Sequence, residues 1–389
     1  MIHLPHGWVV AMLVVATFPL IYYLLAIFAA LAFSRRTKAQ ALPTSTLAFE
    51  PPVSILKPVH GVDFASYENY ASFCVQDYPE CEILFAVNEE SDPAVAVVTR
   101  LIADFPQRRI SLFIGAEYFG ANKKVNNLAR LTREAKHEVL ALSDGDVRVG
   151  PQYIRNVVAP LRDSNIGVVT SFYRAIAQHN PYAELEAVGA SSDFFAGVLM
   201  AAWTEGVKFA LGASVVTTKT WMQKIGGFEA IAAFLADDYE IGHRVTQSGG
   251  RVVLSNETVS TIYPAQTLRS FWQHQLRWAR TVRLCRPASY AALLFTQGLP
   301  WAVAAALLAP APWMAASYLF VYLVLRFTVA WLVGVSVVGD DVLRRRLWLV
   351  PLWDAIHFVV WVVSFASNHV VWGNVEYVVD RGRMKPAAP

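Results

Sequence analysis

Cysteine is scarce in this chain of 389 residues: Cys74, Cys81 and Cys285 are odd in number and show no metal-ligand spacing. That excludes a disulfide framework and a cysteine-held metal, and leaves three reduced packing residues. Charge is scarce as well, at 16% against 55% hydrophobic residues and twelve Trp, too apolar a mixture for an ordinary soluble domain. The middle of the sequence is nevertheless too charged for an all-helical channel. A net charge of +3 is unremarkable and points to no nucleic-acid partner, although basic flanks favour an anionic membrane surface. No fixed-period repeat and no low-complexity tract is present, so the fold is not a solenoid or an array.

Two stretches have no charge at all. Residues 7–33 are long enough to cross a hydrocarbon core and are followed at once by Arg35, Arg36 and Lys38. They read as a span with its carboxyl end in the cytoplasm. No basic residue precedes them and no small-residue cleavage site follows, which argues against a signal peptide. Residues 287–325 are too long for one crossing, and Pro310 and Pro312 near their middle predict a two-span hairpin. A further apolar segment, 347–371, follows Arg344, Arg345 and Arg346. Its parity with the other spans is awkward, so a re-entrant or interfacial course stays open. The chain thus reads as a multi-pass membrane protein with four parts: an anchor and basic flank at 1–43, a cytoplasmic domain at 44–266, an amphipathic helix at 267–286, and a membrane region with a short tail at 287–389.

What is present in the middle region is alternation. Short apolar or β-branched runs at 53–56, 83–87, 139–142, 167–170, 215–217 and 251–254 are separated by helical patterns, which predicts an α/β fold with a mainly parallel sheet. The run 139–142 ends in Ser143-Asp144-Gly145-Asp146. A strand that delivers two carboxylates to its carboxyl end puts them where α/β sheets hold ligands. Such a pair can bind a hard divalent cation whose other ligands are water and phosphate oxygens; the alternative is an Asp-Gly turn that binds nothing. The runs at 53–56 and 83–87 lead into Lys57-Pro58 and into a loop ending Asp92-Pro93. In parallel topology all three loops open on one edge, so Asp92 can share a crevice with Asp144 and Asp146.

Each candidate has a structural alternative. Asp92 before Pro93 is a good N-cap. Lys123 and Lys124 before Val125 are a solvated helix start or a phosphate contact. Asp237 and Asp238 are adjacent acids whose repulsion a helix N-terminus would relieve in part. In 267–286, Phe271, Trp278 and Val282 gather on one helical face and Arg269, Arg280 and Arg283 roughly opposite. This describes either an interfacial helix that touches headgroups or one that contributes to a site. Arg277-Trp278 stands apart, because an Arg held by an aromatic neighbour suits a diphosphate.

Taken in order, Asp92, Asp144-x-Asp146, Asp238 and Arg277-Trp278 resemble the D, D, D, (Q/R)xxRW series of processive-type family 2 glycosyltransferases. The text around them is closer still to the ceramide glucosyltransferase family (family 21) and its bacterial relatives, the hopanoid-associated glycosyltransferases. Val53-Ser54-Ile55-Leu56-Lys57-Pro58, Gln76-Asp77-Tyr78-Pro79, Lys124-Val125-Asn126-Asn127-Leu128, Gly226-Gly227-Phe228 and Ala236-Asp237-Asp238-Tyr239 carry the resemblance, which runs from about Pro51 to Arg286. It implies a GT-A fold with membrane helices at both ends. It also implies that Asp92 contacts the nucleotide, that Asp144 and Asp146 bind the diphosphate with Mg²⁺ or Mn²⁺, and that Asp238 is the general base. Arg277 and Trp278 would close over diphosphate and acceptor, Lys57 would lie by the base pocket, and Lys124 near the phosphates. The chain departs from the pattern at His274, where Gln or Arg is usual, and at Asp237, where Glu is more frequent.

The activity so implied is inverting transfer of glucose or N-acetylglucosamine from a UDP-sugar to a lipid hydroxyl, of ceramide or of a hopanoid polyol. Rival readings are a processive polysaccharide synthase, a polyprenyl-phosphate glycosyltransferase and, from another class, a nucleotide-binding membrane scaffold.

Overall fold

The computed structural model of the chain describes residues 6–40, 49–373 and 375–387. The expected boundary between residues 43 and 44 lies outside them. Chain contacts divide the protein into two units. One holds residues 49–178, 205–264 and 375–387, the other the N-terminal helices with residues 179–204 and 265–373. The segment 179–204 therefore groups with the apolar helices, although in sequence it falls inside 44–266.

The first unit is built on eight strands: β1 (Val53–Pro58), β2 (Cys81–Val87), β3 (Arg109–Ile114), β4 (Val139–Leu142), β5 (Val147–Arg148), β6 (Ile166–Ala177), β7 (Val215–Thr218) and β8 (Arg251–Tyr263). They form one sheet in the order β3-β2-β1-β4-β7-β6-β8-β5. β1 pairs in parallel with both β2 and β4, and β2 with β3. β7 runs antiparallel to β4 and to β6, while β6 and β8 are parallel. The expected α/β class with a parallel-rich sheet is what the chain adopts.

The sequence explains the layering. All six residues of β1 and all four of β4 are buried, because helices cover both faces, and such strands read as unbroken apolar runs. Val53, Ile55, Val139 and Ala141 enter one core with Phe73, Phe85 and Tyr153. Leu56, Leu140 and Leu142 point the other way, onto Leu128, Met222, Ile241 and Val245. β3 was not among the expected strands; it lies at the sheet edge and its residues are exposed or half-buried, so it lacks the apolar density of its neighbours.

Among the described residues of the second unit, four helices are long and apolar enough to cross a membrane: Gly7–Thr37, Pro181–Thr204, Pro312–Val337 and Asp341–Ser364. A bent pair, Pro287–Thr296 and Gly298–Leu308, meets the same test with a 45° break. The hairpin expected at 287–325 is therefore more elaborate: Pro310 and Pro312 do mark its turn, but its first arm is bent and its second continues to Val337. The last apolar helix begins earlier than expected and ends sooner. Asp340 caps it by accepting from Leu343 N at 2.9 Å, so the basic cluster lies inside its first turns, and the helix stops at Ser364 rather than running to 371. Pro181–Thr204 was not foreseen as an apolar helix. It contains a π turn at Ala190–Phe194, and Gly189 is needed just before it, since a Cβ there would lie 2.3 Å from the Trp353 indole.

Candidate active site

The carboxyl ends of β2, β1 and β4 open on one edge of the sheet; Lys57 is the penultimate residue of β1 itself, and the loops that follow β2 and β4 carry Asp92 and Asp144 to Asp146. The Asp-Gly-Asp turn is fixed from beneath. Lys57 Nζ donates to the Asp144 carbonyl at 2.6 Å, and Ile262 N donates to the Asp146 carbonyl at 3.0 Å. Lys57, expected beside the nucleotide base, has no exposed surface and lies 4.0 Å from the Phe73 ring centroid. Burial lowers its pKa to about 7 against the pull of Asp146 and Asp144, so any part it plays in a site is through the turn it supports. Asp146 is pushed the opposite way. Burial and then the neighbouring Asp144 raise its pKa to about 7, opposed by Lys57.

β7 brings in the other half of the site. Because it is antiparallel to β4, with Val215 opposite Leu142, the turn that precedes β7 lands at the carboxyl end of β4. That turn is held rigidly: Thr170 Oγ1 accepts from Leu211 N at 2.8 Å and donates to Ser214 O at 2.8 Å, while the Tyr153 hydroxyl and Ser214 Oγ are 2.8 Å apart. Helix Asp237–Gln247 packs against the same segment, and Ala210 N donates to Asp238 O at 3.2 Å. Gly242 allows this approach, since a Cβ on it would lie 2.4 Å from the Phe209 backbone.

The charges converge here. Lys124, near the start of helix Lys123–Glu134, forms ion pairs with Asp144 at 2.7 Å and Asp237 at 3.2 Å, joining the β4 loop to the helix beyond β7. Burial works against its ammonium, yet Asp144 and Asp237 hold its pKa well above the usual lysine range. Asp238 accepts from Tyr239 N at 2.8 Å. Burial first and Asp237 second raise its pKa to about 6, with Lys124 opposing. A small, shallow cleft lies among Pro58, Lys124, Ser143, Asp144, Gly212 and Asp237. Gly212 is the wall facing Asp238: a Cβ there would be 3.1 Å from its Oδ2.

Asp92 does the structural work expected of an N-cap. Its Oδ1 accepts from Ala94 N and from Gly61 N, both at 2.9 Å, and its Oδ2 meets His60 Nδ1 at 2.7 Å. It still belongs to this edge: after burial, Asp63, Asp92 and Asp146 all help to raise the Tyr70 hydroxyl to about 12. Among the described residues no group of three or more His, Cys, Asp or Glu side chains is arranged to hold a metal by itself.

The remaining candidates lie in the second unit. Helix Leu268–Cys285 starts with a capping box, in which Thr267 accepts from Ser270 N and Ser270 Oγ from Thr267 N, and it buries Phe271. His274 Nδ1 lies 2.8 Å from Glu186 Oε1, and the ring meets Trp278 edge to face at 5.0 Å. Trp278 in turn contacts Phe194 at 6.3 Å. Burial lowers the Arg277 pKa, and Glu186 opposes that shift. Arg280 and Arg283, which one of the two readings set against headgroups, donate to the backbone carbonyls of His369 and Ser367 at 2.5 and 2.9 Å. Sequence reasoning missed Glu186, Gly212 and Phe194. Glu186 had one signal, an acid inside an apolar helical run, which needs a partner.

The chain matches the model of Glycosyl transferase family 21 over residues 11–385 and belongs to that family. Ceramide glucosyltransferase 1 of Caenorhabditis elegans is 26% identical over 231 residues, 59% of this chain and 49% of that protein. Ceramide glucosyltransferase of Komagataella phaffii (strain GS115 / ATCC 20864) is 35% identical over 101 residues, 25% of this chain and 20% of the other. The chain thus spans about half the length, or less, of these curated relatives. Among solved structures, a mannosyltransferase from Pyrobaculum calidifontis in complex with GDP-Man and Mn²⁺ is 16% identical, with a TM-score of 0.49 over 90% of this chain and 98% of that one.

Proposed function

We propose that this chain is a membrane-bound glycosyltransferase that moves a sugar from a UDP-sugar to a lipid hydroxyl, with inversion at the anomeric carbon. The observation that carries the reading is the Lys124 bridge. One ammonium links Asp144 to Asp237 beside Asp238, at the edge where parallel strands present ligands. An acid held near pKa 6 beside an anion-binding lysine is a base placed next to a leaving-group site.

The residues also suit a divalent cation. Asp144 and Asp146 are hard oxygen donors, and the raised pKa of Asp146 reflects burial first and then the charge of Asp144, which Lys57 offsets only in part. Mg²⁺ or Mn²⁺, when bound by these two, would supply charge neutralisation to the departing diphosphate. The protein's own groups do the rest. Lys124 faces the diphosphate, and Asp238 takes the proton from the acceptor hydroxyl as its oxygen bonds to the anomeric carbon. The bond from that carbon to the diphosphate breaks on the opposite face, so an α-linked donor gives a β-glycoside. Arg277 and Trp278 would cover donor and acceptor, with Glu186 and His274 setting their helix.

Family membership and the four apolar helices support a lipid acceptor drawn from a bilayer. Arg35 and Arg36 at the end of Gly7–Thr37 favour a cytoplasmic catalytic unit. The direct test incubates the detergent-solubilised protein with labelled UDP-glucose and UDP-N-acetylglucosamine, with and without divalent metal, and identifies lipid products by mass spectrometry. A single sugar β-linked to a lipid is the expected product. A polymer would mean a processive synthase, a sugar on polyprenyl phosphate a different acceptor class, and UDP binding without transfer a scaffold.

A further inference from the structure

Two of the ionisable pairs among the apolar helices differ in one respect. Arg326 and Asp354 are closed off: the guanidinium meets both carboxylate oxygens at 2.7 and 2.9 Å, Tyr322 donates to the same carboxylate at 2.7 Å, and the side chains are 3% and 9% exposed. Every strong group there has a partner, which is what a structural pair inside an apolar bundle requires. Asp193 and His357 are not closed off. They meet at 2.8 Å between Asp193 Oδ2 and His357 Nδ1, yet remain 32% and 26% exposed. Trp353 Nε1 approaches the same Oδ2 at 3.5 Å, and the Trp353 ring stacks on His357 at 5.9 Å. Among the described residues Asp193 Oδ1 and His357 Nε2 make no hydrogen bond, although Arg326 is near enough to act on Asp193 electrostatically.

We propose that the Asp193–His357 pair binds the neutral polar headgroup of the lipid acceptor through its O–H and N–H groups, a site that rests on the lipid-acceptor reading above. Polar groups open to the surface of an apolar helix bundle are costly unless something polar meets them there. The chemistry selects the ligand. Asp193 accepts from a hydroxyl or an amide N–H and offers phosphate no donor, while His357 Nε2 can donate or accept beside it. The location agrees with the role. Both Asp193 and Phe194 lie in the π turn, and Phe194 is the ring that touches Trp278. A headgroup held at Asp193 is thus one residue away from the aromatic contact of the His-x-x-Arg-Trp helix.

The test titrates the full-length protein in nanodiscs with NBD-labelled ceramide and NBD-labelled phosphatidic acid, uses an unlabelled hopanoid polyol as competitor, and measures UDP binding by calorimetry on the same samples. The wild type is expected to bind ceramide about tenfold or more tightly than phosphatidic acid. Asp193→Asn and His357→Gln should each weaken ceramide binding about fivefold or more, and Asp193→Asn should narrow the preference over phosphatidic acid, with UDP affinity unchanged. A merely structural pair would not move that preference. Ceramide affinity within about twofold of wild type in both variants, with UDP bound normally, overturns the site and leaves the glycosyltransferase reading standing. If neither variant folds, the wild-type preference decides, and a ratio near one overturns the proposal. A wild type that binds UDP-sugar but transfers to no lipid overturns both. Displacement of ceramide by the hopanoid polyol shows that the shared hydroxyls are what is recognised; failure to displace it assigns recognition to the amide.

Discussion

Replacing Asp238 by Asn should slow the enzyme and stabilise it at the same time. The carboxylate lies half-buried beside Asp237, and its pKa is raised from 3.8 to about 6. As a base it must be ionised, so wild-type kcat should fall about tenfold per pH unit below pH 6, and Asp238→Asn should lose about 10² or more with that acid limb absent. Stability moves the other way. The folded protein holds the Asp238 proton more tightly than an unfolded chain does. The residue therefore costs no stability below about pH 4, and its cost grows as pH rises and is complete above about pH 6. A rise from 3.8 to about 6 corresponds to at most about 3 kcal/mol, and partial solvent screening reduces this to about 1–2 kcal/mol. Asn removes the charge and keeps an oxygen for Tyr239 N. Thermal denaturation should give equal Tm for the two proteins near pH 4 and a Tm for Asp238→Asn higher by a few degrees at pH 8, with UDP affinity retained. Near-normal kcat would show that another group is the base, Asp237 first. A lower Tm at pH 8 would show that the acid pair is not under strain.

Chelation should abolish transfer and Mg²⁺ or Mn²⁺ restore it, while Asp144→Ala and Asp146→Ala stay inactive with metal added; full activity in excess chelator would remove the cation from the mechanism. Gly212→Ala places a methyl 3.1 Å from Asp238 Oδ2, so kcat should fall severalfold, and Gly212→Val should lower it about tenfold or more while the donor KM stays level. Glu186→Leu removes the carboxylate that faces His274 at 2.8 Å and leaves Gln266, which donates to the other Glu186 oxygen at 2.6 Å, without its acceptor. It should cost about 1–3 kcal/mol in stability and raise the donor KM, read by thermal denaturation and steady-state kinetics. His274→Gln keeps a polar side chain beside Glu186 and restores the commoner residue of the motif, so it should remain active; a shifted pH profile would show that the imidazole takes part in turnover.

What was legible in the sequence was whatever a single strand or helix decides locally. β1, β2 and β4 are buried on both faces, so they read as apolar runs, and the parallel reading placed Lys57, Asp92 and the Asp144 turn on one edge. The buried state of Lys57 was not legible, because nothing in its own stretch shows that Phe73 will lie over its ammonium. Nor was the ion pair between Lys124 and Asp237, which depends on β7 entering the sheet antiparallel and returning the chain to the β4 edge. The helix Pro181–Thr204 was hidden for a different reason. Glu184, Glu186 and Asp193 make its sequence look like a soluble surface, but each acid meets a basic group from a distant segment: Arg346 at 2.8 Å, His274 at 2.8 Å and His357 at 2.8 Å. Local composition priced these acids as exposed. The fold instead neutralises them in pairs within the apolar unit, and two of the three pairs, Glu186–His274 and Asp193–His357, are the ones proposed above to serve the acceptor side of the site.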